Sequence, residues 1–101
     1  MIMIITLTEK TYTKFIEEKR DEYKVFKYTF LGLWGEYETK DIVCNVPDYN
    51  EFETKKLHIN SNDIKEIIEN EYHTCVRIKR TKSEYIISVC ESVDEIKKQF
   101  K

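Results

Sequence analysis

Residues 74–89 read TCVRIKRTKSEYIISV, two runs of β-branched and aromatic residues around a short charged break. A two-residue turn at Thr81–Lys82 would place Ile78 opposite Tyr85. In this register six residues share one face of the hairpin, as a core face requires. These six are Thr74, Val76, Ile78, Tyr85, Ile87 and Val89. The stretch therefore predicts an antiparallel hairpin, although Thr-Lys lacks the Asn or Gly that such turns favour and a longer loop is the alternative.

The first half of the chain predicts one strand, one helix and a second pair of strands. The apolar run at residues 2–7 has strand length, and Thr8 stands where a helix N-cap belongs. The helical spacing of Tyr12, Phe15 and Ile16 predicts a helix over residues 8–21. Two strands follow, joined by a turn between the two glycines at 32 and 35, and the second ends at Pro47.

The second half predicts a short strand, a short helix, the hairpin and a last helix. Isoleucines at positions 64, 67 and 68 fall at helical spacing after the strand KLHIN. Ser92 and Glu95 form a capping box, and Val93, Ile96 and Phe100 would face inward. The predicted order is βα-ββ-βα-ββ-α. This is an α+β fold in one compact domain, residues 1–101, with a mostly antiparallel sheet, two longer helices and one short helix.

Composition narrows the classes of function. Charged residues make up 36% of the 101 residues, yet the net charge is only -2, which argues against a histone-like nucleic-acid coat and against an acidic DNA mimic. The three cysteines form no CxxC pair, and no signal peptide or membrane segment is recognisable. We expect a reduced, cytoplasmic protein without a membrane span.

The basic run RIKRTK has two interpretations. Arg77, Lys79, Arg80 and Lys82 would crowd the hairpin tip in an otherwise mildly acidic chain. They would form either a solvated edge that prevents strand-to-strand aggregation or a contact surface for RNA backbone or an acidic partner.

The aromatic residues outside the predicted strands indicate a second contact surface. Trp34 and Tyr37 lie at the turn GLWGEY, and Tyr49 and Phe52 lie in the predicted loop PDYNEFET after Pro47. Trp and Tyr are frequent in binding hot spots, and loops carry them to partners. The alternative is that Trp34 folds back into the core.

Catalytic signatures are missing from the sequence. There is no phosphate-binding glycine loop, GxSxG or HExxH motif. His73, Cys75 and Cys90 would share one face of the hairpin and suggest a thiol or zinc site, but buried cysteines explain the same pattern. We therefore expect no enzyme activity, no cofactor and no metal.

Residues 54–101 contain the stretch INSNDIKEIIE, followed by HTCVRIKRTKSEYIISVCESVDEI. This pattern resembles the FlbD-like family of very short bacterial proteins linked to flagellar function and swarming, although the family usually has Gly in the hairpin. The matching residues are Asn60, Ile64, Ile67, Ile68, Glu69, Thr74, Val76, Tyr85, Val89, Glu91, Ser92 and Glu95. It implies a regulator of motility or transcription and supplies no catalytic residues.

Size and composition also resemble those of anti-defence proteins of phages and mobile elements, such as anti-CRISPR proteins. The favoured hypothesis is therefore a non-catalytic inhibitor that binds a host protein or ribonucleoprotein complex, for example a CRISPR effector. The FlbD-like regulator is the alternative, and a small thiol or metal-dependent enzyme is the second alternative.

Overall fold

Seven antiparallel strands and one short helix form the part of the chain that the computed structural model describes, residues 3–27, 35 and 38–100. In chain order the elements are β1 Ile4–Tyr12, β2 Phe15–Lys27, β3 Glu38–Pro47, β4 Phe52–Asn60, a 3₁₀ turn Ser61–Asp63, β5 Ile64–Glu69, β6 Thr74–Arg80, β7 Ser83–Val89 and α1 Val93–Lys98. They build one sheet in the order β3-β2-β5-β6-β7-β1-β4. Of the described residues, 68% are in strands and 10% are helical. The predicted α+β class with two longer helices is therefore wrong, whereas the antiparallel pairing is confirmed.

The predicted helix over residues 8–21 is wrong because this segment forms the end of β1 and the start of β2. All nine residues of β1 pair with β4, from Ile4 opposite Asn60 to Tyr12 opposite Phe52. The segment is rich in threonine, whose branched Cβ favours a pleated strand over a helix. Tyr12 ends β1, and Phe15 begins β2 after a two-residue connection.

The short helix predicted over SNDIKEIIENE, residues 61–71, is also wrong beyond the 3₁₀ turn Ser61–Asp63, and its isoleucines belong to β5. Ile64 and Ile67 reach the main core, while Ile68 packs on the opposite face of the sheet. A register shift against β6 between Ile64 and Glu66 puts Ile64 and Ile67 on the same side despite their odd spacing. In a strand that is buried on both faces, the apolar residues can therefore have the same sequence spacing as those on the apolar face of a helix.

The predicted hairpin is confirmed in its register. Thr74 pairs with Val89 and Ile78 with Tyr85, and the turn consists of Thr81 and Lys82 alone. Five of the six predicted inward residues are buried; the prediction for Tyr85 is wrong, because this side chain is 38% exposed near the tip.

The last helix is confirmed with its capping box. The Ser92 hydroxyl accepts a hydrogen bond from the Glu95 N–H at 3.2 Å, and the Glu95 carboxylate accepts one from the Ser92 N–H at 3.2 Å. Val93, Ile96 and Phe100 are buried as predicted. The helix covers one face of the sheet and closes the main core, whose buried members are Ile5, Leu7, Ile59, Ile64, Ile67, Val76, Ile78, Ile87, Val89, Val93, Ile96 and Phe100.

Two side chains from the C-terminal segment complete the hydrogen bonding of β1 where β7 does not reach it. The Gln99 side chain accepts from the Thr6 N–H at 2.8 Å and donates to the Thr6 carbonyl at 2.9 Å. The Glu91 carboxylate accepts from the Thr8 N–H at 2.7 Å and from its hydroxyl at 2.9 Å. These side chains replace a strand partner, since buried backbone groups must be paired.

The first half of β2 and the facing part of β3 form an extension that we call the β2–β3 arm, residues 15–23 and 40–47. In the arm, β2 pairs only with β3. From Lys24 to Lys27, β2 also pairs with β5. A second buried cluster of Tyr23, Val25, Ile68 and Cys75 lies at this junction, with Cys44 packed against it. The arm is therefore packed against the main sheet at its Tyr23 end, and at its Phe15–Pro47 end it continues into β1 and β4 through two short connections.

Candidate functional site

A cluster of aromatic rings, which we call the tyrosine cluster, surrounds Tyr49. The ring centroid of Tyr49 lies 5.5 Å from that of Tyr12, 5.4 Å from that of Tyr72 and 5.6 Å from that of His73. Tyr12 in turn meets Phe52 edge-on at 6.0 Å. Edge-to-face and offset-stacked pairs of this kind stabilise beyond the burial of their area. The cluster therefore ties the loop after β3 to the end of β1 and to the turn before β6.

Hydrogen bonds to the side chain and the carbonyl of Asp48 fix the loop that carries Tyr49. The Asp48 carboxylate accepts from the Asn50 N–H at 3.0 Å, and the Asp48 carbonyl accepts from the Glu51 N–H at 3.1 Å. The connection between β1 and β2 holds it from the other side: the Thr13 N–H donates to the Glu51 carbonyl, and the Asp48 N–H donates to the Lys14 carbonyl. Hydrogen bonds between the β1–β2 connection and the β3–β4 connection therefore hold the loop that carries Tyr49 in place.

The turn that carries Tyr72 and His73 is organised by Asn70. Its side-chain oxygen accepts from the N–H groups of Tyr72 at 2.9 Å and His73 at 3.0 Å. Its side-chain nitrogen donates to the Asp21 carboxylate at 3.2 Å, which links the turn to β2. Asn is suited to this role because its short amide bonds to backbone two or three residues away.

Two thiols, of buried Cys75 and half-buried Cys44, lie next to the tyrosine cluster near His73. The Tyr23 hydroxyl is 2.8 Å from the Cys44 sulfur and 3.4 Å from His73 Nε2. The Cys75 sulfur is 3.7 Å from His73 Nδ1. Burial raises the pKa of the Cys75 thiol and lowers the pKa of His73. Both groups are therefore held in their neutral forms.

This arrangement does not activate a nucleophile. A reactive cysteine needs a lowered thiol pKa beside a cationic partner, and Cys75 has the opposite environment. Cys90 is exposed, and no hydrogen bond among the described residues joins its side chain to His73 or Cys75. Within residues 3–27 and 38–100, no group of three or more His, Cys, Asp or Glu side chains has a metal-binding arrangement.

A cleft of about 300 Å³, the Phe15 cleft, opens between the Phe15–Pro47 end of the arm and β7. Phe15 of β2 and Ile86 of β7 line it and are 61% and 57% exposed. Tyr12, His73 and Pro47 line it as well. Two strands that are not paired with each other thus present large apolar side chains to one opening.

A second cleft of about 280 Å³, the Asp21 cleft, lies along the arm, and Pro47 lines both clefts. From Glu17 to Tyr23, alternate residues of β2 line the Asp21 cleft because successive side chains of a strand point to opposite faces. The residues from β2 are Ile16, Glu17, Lys19, Asp21 and Tyr23, and those from elsewhere are Cys44, Val46, Pro47, Asp48, Tyr49, Asn50, Asn70 and Tyr72. Tyr49 is half-buried, and desolvation by burial raises its pKa to about 12.

Carboxylates of the same chain partly neutralise the positive charges of the β6–β7 hairpin. Arg77 forms ion pairs with Glu66 and Glu84, and Arg80 lies 3.6 Å from Asp63. Glu84 faces Lys79 across the hairpin, but its carboxylate turns to Arg77. Lys79 and Lys82 are exposed, and no ion pair within 4.0 Å involves them among the described residues.

The structure brings together half of the predicted aromatic surface. Tyr49 and Phe52 both belong to the tyrosine cluster, but Phe52 begins β4 and does not lie in the predicted loop. The Lys10 ammonium lies 5.0 Å from the Phe52 ring centre. Trp34 and Tyr37 lie outside the described residues. Phe15 and Ile86 were not predicted as site residues. A signal existed for Ile86, which falls on the outer face of the predicted hairpin register, whereas Phe15 was hidden by the incorrect helix.

Comparisons with protein-family models, with curated proteins and with solved structures give no match for this chain. The resemblance of residues 54–101 to the FlbD-like family therefore stays a prediction. In the described part of the chain no helix is long and apolar enough to cross a membrane.

Proposed function

We propose that this protein is a non-catalytic binding protein that holds a segment of a partner protein in the Phe15 cleft. The observation that carries the proposal is the joint exposure of Phe15 and Ile86 at one opening. Grouped apolar side chains on a surface indicate an interaction site, whereas single exposed ones are ordinary. The partner segment is expected to insert an apolar side chain between them.

The lining of the Phe15 cleft supports binding by a preformed surface. Tyr12 is held between Tyr49 and Phe52, and His73 is held by the Asn70 turn. A surface that is ordered before binding loses less conformational entropy when the partner arrives. Aromatic residues with a polar group are also common in binding hot spots.

Binding, and not catalysis, agrees best with the chemistry of the buried groups. The thiol of Cys75 is held protonated by burial, and His73 is held neutral. Nucleophilic catalysis of acyl transfer needs a nucleophile, a base and an oxyanion donor that converge on one point, and the described residues that line the two clefts offer no such arrangement.

For the biological setting we propose inhibition of a host protein or ribonucleoprotein complex, with defence complexes such as CRISPR effectors as the first candidates. The small size, the mixed charge and the absence of catalytic motifs support this setting. RNA contact through the hairpin would depend mainly on Lys79 and Lys82, because Arg77 and Arg80 already have carboxylate partners.

Site-specific photo-crosslinking in cells tests the proposal. The photoreactive residue p-benzoylphenylalanine is placed at Phe15, at Ile86 and, as a matched control, at Ile4, which is 61% exposed but does not line the Phe15 cleft. The same partner should be captured from positions 15 and 86 and not from position 4. Equal capture from Ile4, or capture from none of the three, would contradict the proposal.

Once the partner is known, Phe15→Ala is expected to weaken its binding by about 2 kcal/mol, the scale of a hot-spot residue. The free energy of unfolding should hardly change, because the side chain is exposed. An unchanged dissociation constant in isothermal titration calorimetry would remove Phe15 from the binding surface.

A further inference from the structure

The Asp21 cleft combines carboxylates with aromatic rings. Glu17 and Asp21 line it from β2, and Asp48 lines it from the loop after β3. Tyr49 and Tyr72 lie against each other with ring planes 19° apart and also line the cleft. Negative charge beside the faces of tyrosine rings is the environment that a cation prefers.

The carboxylates of this cleft have no cationic partner in the described part of the chain. Asp21 accepts hydrogen bonds from the Glu22 N–H and from the Asn70 side chain, both of them neutral donors. Asp48 likewise accepts from a backbone N–H. Arg20, the nearest arginine in sequence, turns to the other face of the arm and pairs with Asp41 at 2.9 Å.

One positive group, Lys19, also lines the cleft and must be included in the charge balance. It forms no ion pair within 4.0 Å with any described carboxylate. Three carboxylates against one ammonium still leave the cleft negative. A flexible lysine can turn away when a better-placed cation enters.

We propose that the Asp21 cleft binds an arginine side chain of the partner protein. This inference rests on the proposed binding function, and it names the chemistry of a second contact next to the Phe15 cleft. A planar guanidinium can stack on a tyrosine ring while its N–H groups donate to a carboxylate, which an ammonium cannot do equally well. The volume of about 280 Å³ lies at the lower limit of small-molecule sites and suits one side chain.

Pro47 lines both clefts, so the two clefts are adjacent and one partner segment can reach both. An apolar side chain enters the Phe15 cleft, and an arginine a few residues away enters the Asp21 cleft. The apolar contact supplies most of the affinity, and the arginine fixes the direction in which the segment lies.

Nuclear magnetic resonance titration with short peptides tests the arginine site without the natural partner. The probe is acetyl-Gly-Arg-Gly-amide at low salt, and the controls replace arginine by its uncharged isostere citrulline or by lysine. The arginine peptide should shift the backbone signals of Asp21, Tyr49, Asn70 and Tyr72. The citrulline peptide should bind at least about fivefold more weakly, because citrulline lacks the positive charge that the tyrosine rings and the carboxylates attract.

Two variants and a matched control locate the site. Glu17→Gln and Asp21→Asn should each weaken binding of the arginine peptide, whereas Glu18→Gln, the neighbouring exposed carboxylate that does not line the cleft, should not. Glu17→Gln leaves the Asp21–Asn70 hydrogen bond intact, so it remains informative if Asp21→Asn disturbs folding.

Failure of the arginine site and failure of the Phe15 cleft give different experimental results. Equal shifts from arginine and citrulline peptides, no shifts at all, or equal loss in Glu18→Gln would overturn the arginine site even if crosslinks from Phe15 persist. Specific arginine binding without crosslinks from Phe15 and Ile86 would instead support this site and reject the proposed use of the Phe15 cleft.

Discussion

The ion pair between Arg77 and Glu66 allows the role of the basic hairpin in stability to be measured directly. The side chain of Glu66 is only 11% exposed, and that of Arg77 is 33% exposed. Arg77→Met keeps the apolar stem but leaves the carboxylate without its guanidinium. Loss of one partner of a fully buried pair costs about 3–5 kcal/mol. We expect about 2–3 kcal/mol here, because Arg77 is partly exposed and Lys27 lies near enough to interact with Glu66.

Replacement of Glu66 should lower the free energy of unfolding less than replacement of Arg77. Glu66→Gln is expected to lower the free energy of unfolding by about 1 kcal/mol, because Arg77 keeps Glu84 and can reach water. The double variant Glu66→Leu with Arg77→Met removes both charges and should return to within about 1 kcal/mol of the natural chain.

Urea unfolding followed by circular dichroism gives these values, provided that the slope of the transition stays constant. Lys79→Met is the matched control: it lies in the same strand, is exposed, and should change the free energy of unfolding by less than about 0.5 kcal/mol. An unchanged midpoint for Arg77→Met, or a double variant no more stable than Arg77→Met alone, would refute the reasoning. The hairpin would then be a charged surface without a stabilising pair.

Three further predictions concern the cap, the tyrosines and the thiols. Ser92→Ala should lower the free energy of unfolding by about 1 kcal/mol, the usual cost of losing an N-cap, as measured by urea unfolding. An unfolded tyrosine loses its proton near pH 10, but Tyr49 keeps it to about pH 12. Folding stability should therefore fall as the pH rises from about 10 to about 12, and Tyr49→Phe should reduce that fall in an alkaline series of urea midpoints. With a thiol reagent such as dithionitrobenzoate, exposed Cys90 should react at once and buried Cys75 only after urea is added; early reaction of Cys75 would contradict its burial.

Features set by local interactions were predictable from the sequence. The pairing of Ile78 with Tyr85 follows from alternation across a short turn, and the capping box at Ser92 follows from contacts within one helical turn. Strand β3 ends at Pro47 as predicted, since proline cannot donate a ladder hydrogen bond.

The remaining features depend on contacts between distant segments. The isoleucines of β5 fit a helix or a doubly buried strand equally well, and only the strands on either side decide between them. Phe15 looked like the buried face of a helix, but the arm leaves it exposed. The Asp21 cleft brings β2, the loop after β3 and the turn before β6 together, and no single stretch of sequence contains that arrangement.

The position of β1 between β4 and β7 has a consequence for the order of folding during synthesis. Strands β1 and β4 can pair once residue 60 has left the ribosome, but β1 acquires its other neighbour only with Ser88 and Val89. Its backbone at Thr6 is completed later still, by Gln99. Until then a ribosome-bound chain exposes the apolar side chains of Ile5 and Leu7 without the cover of Ile96. Such a nascent chain offers a binding site for chaperones that recognise unpaired apolar strands, and it should release them only when the last helix has formed.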